Sequence, residues 1–152
     1  MTADPLFFRD ATRDDLAQIV ELILADSLSN QWESGADGSG PNQALSAIES
    51  DPNNRLVVVE RSGTLLGTMQ LTFIPQLTLR GGLILQIENV RVDASARSGG
   101  VGREMIEWAI EEARGRGCAL VQLMSNAERV RAHSFYERMG FKQSHAGFKY
   151  SL

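Results

Sequence analysis

A chain of 152 residues, 43% hydrophobic and 22% charged, holds enough apolar material for one core and lacks the composition of a disordered chain. A formal charge of −4 excludes the lysine and arginine excess that phosphate neutralisation requires, so no nucleic-acid partner is expected. A single cysteine, Cys118, excludes an internal disulfide framework and reads as a small buried hydrophobe, and no apolar run reaches the length of about 18 residues that a membrane-spanning helix needs.

Phe7 and Phe8 read as a short strand, followed by polar residues Asp10 to Arg13 that can cap a helix. Leu16, Ile19, Val20, Ile23 and Leu24 recur at helical spacing, which predicts an amphipathic helix from about Asp14 to Ser27. Residues 34–41, with Gly35, Gly38 and Gly40, have no apolar period and read as a connection and a candidate lid over a substrate. A short helix over Gln43–Glu49 ends at Asp51 and Pro52. The valine-rich run Arg55–Glu60 turns at Ser62 and Gly63 into Thr64–Phe73. A second turn at Arg80, Gly81 and Gly82 returns the chain into Leu83–Val92, which completes an antiparallel meander.

From Gly100 the apolar period becomes helical, with Val101, Met105, Trp108, Ala109, Glu112 and Ala113 on one face that ends near Gly115 to Gly117. Ala119–Met124 has strand length, Arg131–Met139 reads as a helix closed by Gly140, and Phe141, Phe148 and Tyr150 suggest terminal strands. These elements make an α/β (α+β) chain in one domain over residues 1–152. The first residues lack the basic start and apolar stretch of a signal peptide, so the expected location is cytoplasmic.

Chemistry concentrates where Ile87–Val92 meets the long helix, through Arg97, Ser98, Gly99, Gly100, Val101, Gly102 and Arg103. A glycine-bearing turn at a helix N-terminus presents unpaired amides and the positive end of the helix dipole, which suits a pyrophosphate. Arg97 and Arg103 can add charge-assisted contacts. The alternative is a turn that only starts a helix. A P-loop requires lysine and then serine or threonine after its last glycine, whereas Arg103 and Glu104 follow Gly102; a dinucleotide fingerprint requires glycine where Met105 stands.

The pattern Arg97-x-x-Gly100-x-Gly102, preceded by Val90-Arg91-Val92 and followed by His133-Ser134-Phe135-Tyr136-Glu137-Arg138-Met139-Gly140-Phe141, resembles the GNAT superfamily of N-acetyltransferases. The resemblance implies a mixed, mostly antiparallel sheet of six to seven strands, splayed between the fourth and fifth and flanked by about four helices. It implies acetyl-CoA as co-substrate, with the backbone of Val90, Arg91 and Val92 along the pantetheine arm and the amides from Ser98 to Arg103 on the pyrophosphate. Arg129 stands where many relatives place an asparagine that contacts the cofactor, and His133, at helical spacing from Arg129 and Tyr136, either lines that channel or is an exposed helix histidine. Homodimerisation through the C-terminal strands is a further family expectation.

An amine attacks only when neutral, and one of pKa near 10.4 is about 99.9% protonated at pH 7, so freeing it costs roughly 4 to 5 kcal/mol. Glu88 is the candidate base, because it interrupts an apolar strand where burial would raise its pKa. The run Glu88-Asn89-Val90-Arg91-Val92 is similar to polyamine-type members of the superfamily, whereas other members carry the glutamate where Gln86 stands. A hydrogen-bonded structural carboxylate is the alternative role for Glu88. By the same resemblance Tyr136 is the candidate general acid toward the coenzyme A sulfur, the alternative being a core aromatic beside Phe135 and Phe141.

Two histidines and one cysteine, so spaced, make no zinc pattern, and no metal is expected. Trp32, Met69, Phe73 and Ile74 are either an acceptor pocket or, for the last three, strand core. The expected activity is N-acetylation of a small-molecule amine by direct attack in a ternary complex. Two alternatives are an acyl-coenzyme A binding or sensing module without catalysis, and acetylation of protein N-termini or lysines.

Overall fold

The computed structural model describes residues 4–26 and 39–152. The chain divides into two compact units, Met1–Gln122 and Leu123–Leu152. In chain order the elements are β1 (Phe7–Asp10), α1 (Leu16–Leu24), α2 (Ser39–Ser50), β2 (Asn54–Arg61), β3 (Thr64–Pro75), β4 (Leu83–Val92), α3 (Val101–Gly115), β5 (Cys118–Leu123) and α4 (Val130–Arg138). Among the described residues these make one five-stranded sheet of order β1-β2-β3-β4-β5 and four α-helices. None of those helices is long and apolar enough to cross a membrane.

Strands β1 to β4 pair antiparallel. The β2–β3 hairpin turns at Ser62 and Gly63 with φ of 51° and 78°, the double left-handed conformation that matches the twist of the flanking strands. Strand β5 joins after the α3 crossover. Gly82 lies against Ala119, and Gln86 is hydrogen-bonded to Gln122, so residue numbers rise together and β5 runs parallel to β4. The sheet is therefore mixed.

Two sequence expectations are corrected. Among the described residues the sheet has five strands rather than six to seven, because Phe141, Phe148 and Tyr150 belong to no strand. Phe148 and Tyr150 are fully exposed. Their alternation defines a face but supplies no partner edge, and a strand exists only through its ladder. Helix α2 begins at Ser39, ahead of the expected Gln43, which takes Gly40 and Pro41 out of the connecting loop. Pro41 falls in the first helical turn, where its missing N–H costs nothing. The remainder of that candidate lid, and Trp32, lie outside the described residues.

Helix α3 buries Val101, Met105, Ile106, Ala109 and Ala113 against the sheet face that presents Met69, Leu71, Phe73, Leu85 and Ile87. Met69 and Phe73 are thus core residues, and the Arg116 guanidinium lies 3.9 Å from the Phe73 ring centroid. Phe8 stacks on Trp108 at 4.8 Å, and Arg55 bridges Asp10 at 2.8 Å and Glu112 at 2.6 Å, which ties β1, β2 and α3 together. On the opposite face Val58 packs with Ala11 and Ile19.

Gly67 marks the closest approach in this core. A Cβ added there would stand 2.8 Å from the Met105 sulfur and 2.9 Å from the Arg91 carbonyl oxygen. The thioether can move; the strand oxygen cannot. Gly67→Ala is expected to destabilise by about 1 to 3 kcal/mol, read as a lower urea midpoint at unchanged m-value.

Asp15 anchors the start of α1. Arg9 donates to both its oxygens at 2.7 and 2.8 Å, and the Thr12 amide donates to it at 2.7 Å. The Arg9 hydrogen bonds hold the Asp15 carboxyl down at about 2 from an ordinary 3.8. A depressed folded-state pKa adds stability above the unfolded value, and that stability is lost as pH falls through the folded one. Arg9 is partly exposed and screened, so the contribution is about 1 to 2 kcal/mol. Urea melts of Asp15→Asn should show that deficit at neutral pH, closing between about pH 4 and pH 2.

Candidate active site

The α1-side face of the sheet is polar where it should be apolar. Register places Asn54 on β2 opposite Thr72 on β3, and Thr72 opposite Gln86 on β4; one alternation further, Gln70 stands opposite Glu88. The Thr72 hydroxyl donates to Asn54 Oδ1 at 2.8 Å, and Gln122 Nε2 donates to Gln86 Oε1 at 2.7 Å. Glu88 is half-buried. Among the described residues no hydrogen bond or ion pair holds its carboxylate, so the structural role weighed for it has no partner there.

Beyond Glu88 the ladder slips. Gln70 pairs with Glu88 but Thr68 pairs with Arg91, so β4 carries one residue more than β3, and Asn89 takes φ of 52°. This is a bulge, and asparagine is among the residues that tolerate the left-handed conformation best. It returns Arg91 to the Glu88 face, where the guanidinium lies 3.6 Å from Asp26 at the end of α1 and donates to the Val90 carbonyl at 2.9 Å. Val90 and Val92 complete the strand.

The chain then turns into α3. The Asp93 amide donates to Leu66 O at 2.8 Å, and the Asp93 carboxylate accepts from the Ser95 amide and hydroxyl, which lowers its pKa. Ser98 and Gly100 take φ of 71° and 80°, and Gly99 N–H donates to Ala96 O at 3.3 Å. The first helical amide to reach a main-chain acceptor outside α3 is that of Glu104, on Gly100 O at 3.0 Å. The amides of Val101, Gly102 and Arg103 come before it, in the orphan positions of a helix start. Glycine is required at 100 by its positive φ rather than by crowding, since a Cβ there would meet nothing within 4 Å. Arg97 Nε donates to Val92 O at 3.2 Å and Arg103 Nε to Glu107 at 2.8 Å; both side chains are exposed.

The second unit carries Arg129, His133 and Tyr136. Asn126 organises its start: Oδ1 accepts from the Glu128 amide at 2.9 Å, and its carbonyl accepts from the Arg129 amide at 3.0 Å and from His133 Nε2 at 2.9 Å. Sequence reasoning missed Asn126, although a Ser-Asn pair ahead of a helix is a turn signal. At the other end Gly140 has φ of 95°, its amide bonds Glu137 O, and the Phe141 amide bonds Tyr136 O at 3.0 Å, a Schellman closure. That closure sets the Phe141 ring 5.9 Å from Tyr136, which also meets Phe135 edge-on at 5.1 Å. The Gly140-Phe141 pair thus explains itself locally: it fixes the ring of Tyr136.

Burial pushes the Cys118 thiol up, away from a reactive thiolate. Among the described residues no group of three histidine, cysteine or carboxylate side chains could hold a metal.

A carboxylate-bearing strand that bulges ahead of a helix start with unpaired amides offers a place for an anionic group beside a candidate base. A model of the acetyltransferase (GNAT) family matches residues 18–141, and the chain belongs to that family. Aminoalkylphosphonate N-acetyltransferase of Salmonella typhimurium (strain LT2) is 33% identical over 144 residues, which is 95% of this chain and 90% of that protein. Glucosamine 6-phosphate N-acetyltransferase of Trypanosoma brucei brucei is 35% identical over 81 residues, 53% of each chain. A crystal structure described as a transcriptional regulator from Bacillus halodurans C-125 superposes with a TM-score of 0.92 at 37% identity, over 97% of this chain and 100% of that one.

Proposed function

We propose that this single domain transfers the acetyl group of acetyl-CoA to a primary amine of a small molecule by direct attack in a ternary complex. The observation that carries the reading is the run of amides at Val101, Gly102 and Arg103, led in by left-handed Ser98 and Gly100 directly after the Glu88 strand. Donors so placed fit a pyrophosphate. Ser98 to Arg103 hold it through their backbone, Arg97 adds charge, Val90 to Val92 lie along the pantetheine arm in a splay between β4 and β5, and Arg129 and His133 flank the arm.

Bound acetyl-CoA supplies the activated acyl group. Glu88 takes the proton from the attacking amine, and the Tyr136 hydroxyl gives one to the departing sulfur. The acceptors named for the two N-acetyltransferase relatives join an amine to a phosphonate or a phosphate, which supports a small-molecule amine here. The exposed apolar tail residues Phe148, Tyr150 and Leu152 support a homodimer built on the C-terminal segment, and the protein works in the cytoplasm.

Incubation with acetyl-CoA and an amine panel, followed by thiol release, tests the reading: turnover of at least one amine is expected. The description of the Bacillus halodurans relative as a transcriptional regulator favours a second reading, acyl-coenzyme A sensing without transfer. Tight coenzyme A binding with no turnover on any acceptor would select it.

A further inference from the structure

We infer that Gln86 determines acceptor specificity: its buried side-chain N–H donates to an oxygen carried by the amine acceptor, so the acceptor is an oxygen-bearing amine rather than a plain alkylamine or a polyamine. This deepens the proposed acetyl transfer and rests on it.

Gln86 is only 8% exposed, and among the described residues its Nε2 has no hydrogen-bond partner. Its Oε1 is already engaged by Gln122 Nε2 at 2.7 Å, which fixes the amide with its donor turned away from β5. The neighbour opposite it on β3, Thr72, turns its hydroxyl to Asn54, and among the described residues its oxygen accepts nothing from the Gln86 amide. A buried donor without a partner is a standing cost to the fold, and a leucine or methionine of similar size would remove it. The amide therefore earns its place through something that is absent when the chain is alone.

Position says what that is. Gln86 shares the sheet face of Glu88 and lies one alternation away, about 6.6 Å along the strand. An amine presenting its nitrogen to Glu88 brings atoms a few bonds away to Gln86. An N–H there donates to a hydroxyl, carboxylate or phosphorus-bound oxygen; a second ammonium, which has donors only, offers it no acceptor. A carboxylate at 86 would do the opposite.

The experiment compares kcat/KM for a plain alkylamine, a diamine and amines of matched length bearing a hydroxyl or an oxyanion, on the wild type, Gln86→Met and Gln86→Glu. Coenzyme A affinity and melting temperature are measured alongside. Gln86→Glu keeps an acceptor for Gln122, so it guards against misfolding. The wild type should favour an oxygen-bearing amine over its matched alkylamine by at least about tenfold. Gln86→Met should erase that ratio while plain alkylamines still turn over, and Gln86→Glu should shift preference toward the diamine, both with unchanged coenzyme A affinity. A preference unaltered in both variants, or absent from the wild type, overturns the role of Gln86 alone and leaves a donor met only by water. Failure of the wild type to turn over any amine overturns the transfer reading as well.

Discussion

Glu88→Gln should lower kcat/KM for an amine acceptor at pH 7 by about 10²- to 10⁴-fold, the usual worth of a positioned base. The amide fills the same space, and no described residue depends on the carboxylate for a hydrogen bond, so melting temperature and coenzyme A affinity should hold. The pH profile separates catalysis from packing. Without a base the reaction draws on the small neutral fraction of free amine, which grows about tenfold per pH unit up to its own pKa near 10.4. The variant should therefore gain on the wild type as pH rises. A loss of less than about threefold at pH 7 would move the base to a water relay.

Gly102→Asp should weaken coenzyme A binding by at least about 10²-fold while leaving the fold intact or slightly firmer. Position 102 lies in the first turn of α3 with no positive φ, so its backbone conformation is one that aspartate adopts without strain. An acid in a first turn also complements the helix dipole by about 0.3 to 1 kcal/mol. If this loop only starts a helix, the substitution is neutral or stabilising in every respect. If it cradles a pyrophosphate, the new carboxylate meets two like charges at contact distance and binding collapses. Calorimetric titration of coenzyme A beside a thermal melt reads both quantities on one sample.

Much of the architecture was legible because local chemistry and global fold agree. Ser62-Gly63 announces its turn, the period of Val101 to Ala113 announces α3, and the glycines before it announce a helix start. The bulge at Asn89 was not legible: an extra residue in β4 changes which side chains share a face without changing composition, and only pairing with β3 shows it. The donor on Gln86 escaped notice for the same reason, since its isolation depends on Gln122 and Thr72, far away in sequence. The tail failed in the other direction. Phe148 and Tyr150 alternate as a strand does, but alternation cannot supply a free edge to pair with. At Gly140-Phe141 the sequence pattern was noticed for its likeness to a family, whereas its physical cause, a helix closure that pins the ring beside Tyr136, needed coordinates.

The proposal depends on main-chain donors at the start of α3 binding linked phosphates. The most direct measurement is an amide-resolved NMR titration with coenzyme A. The expected result is that the largest shifts, and new protection from hydrogen exchange, fall on Ser98, Gly100, Val101, Gly102 and Arg103. Saturation that leaves those amides unmoved while others respond would contradict it.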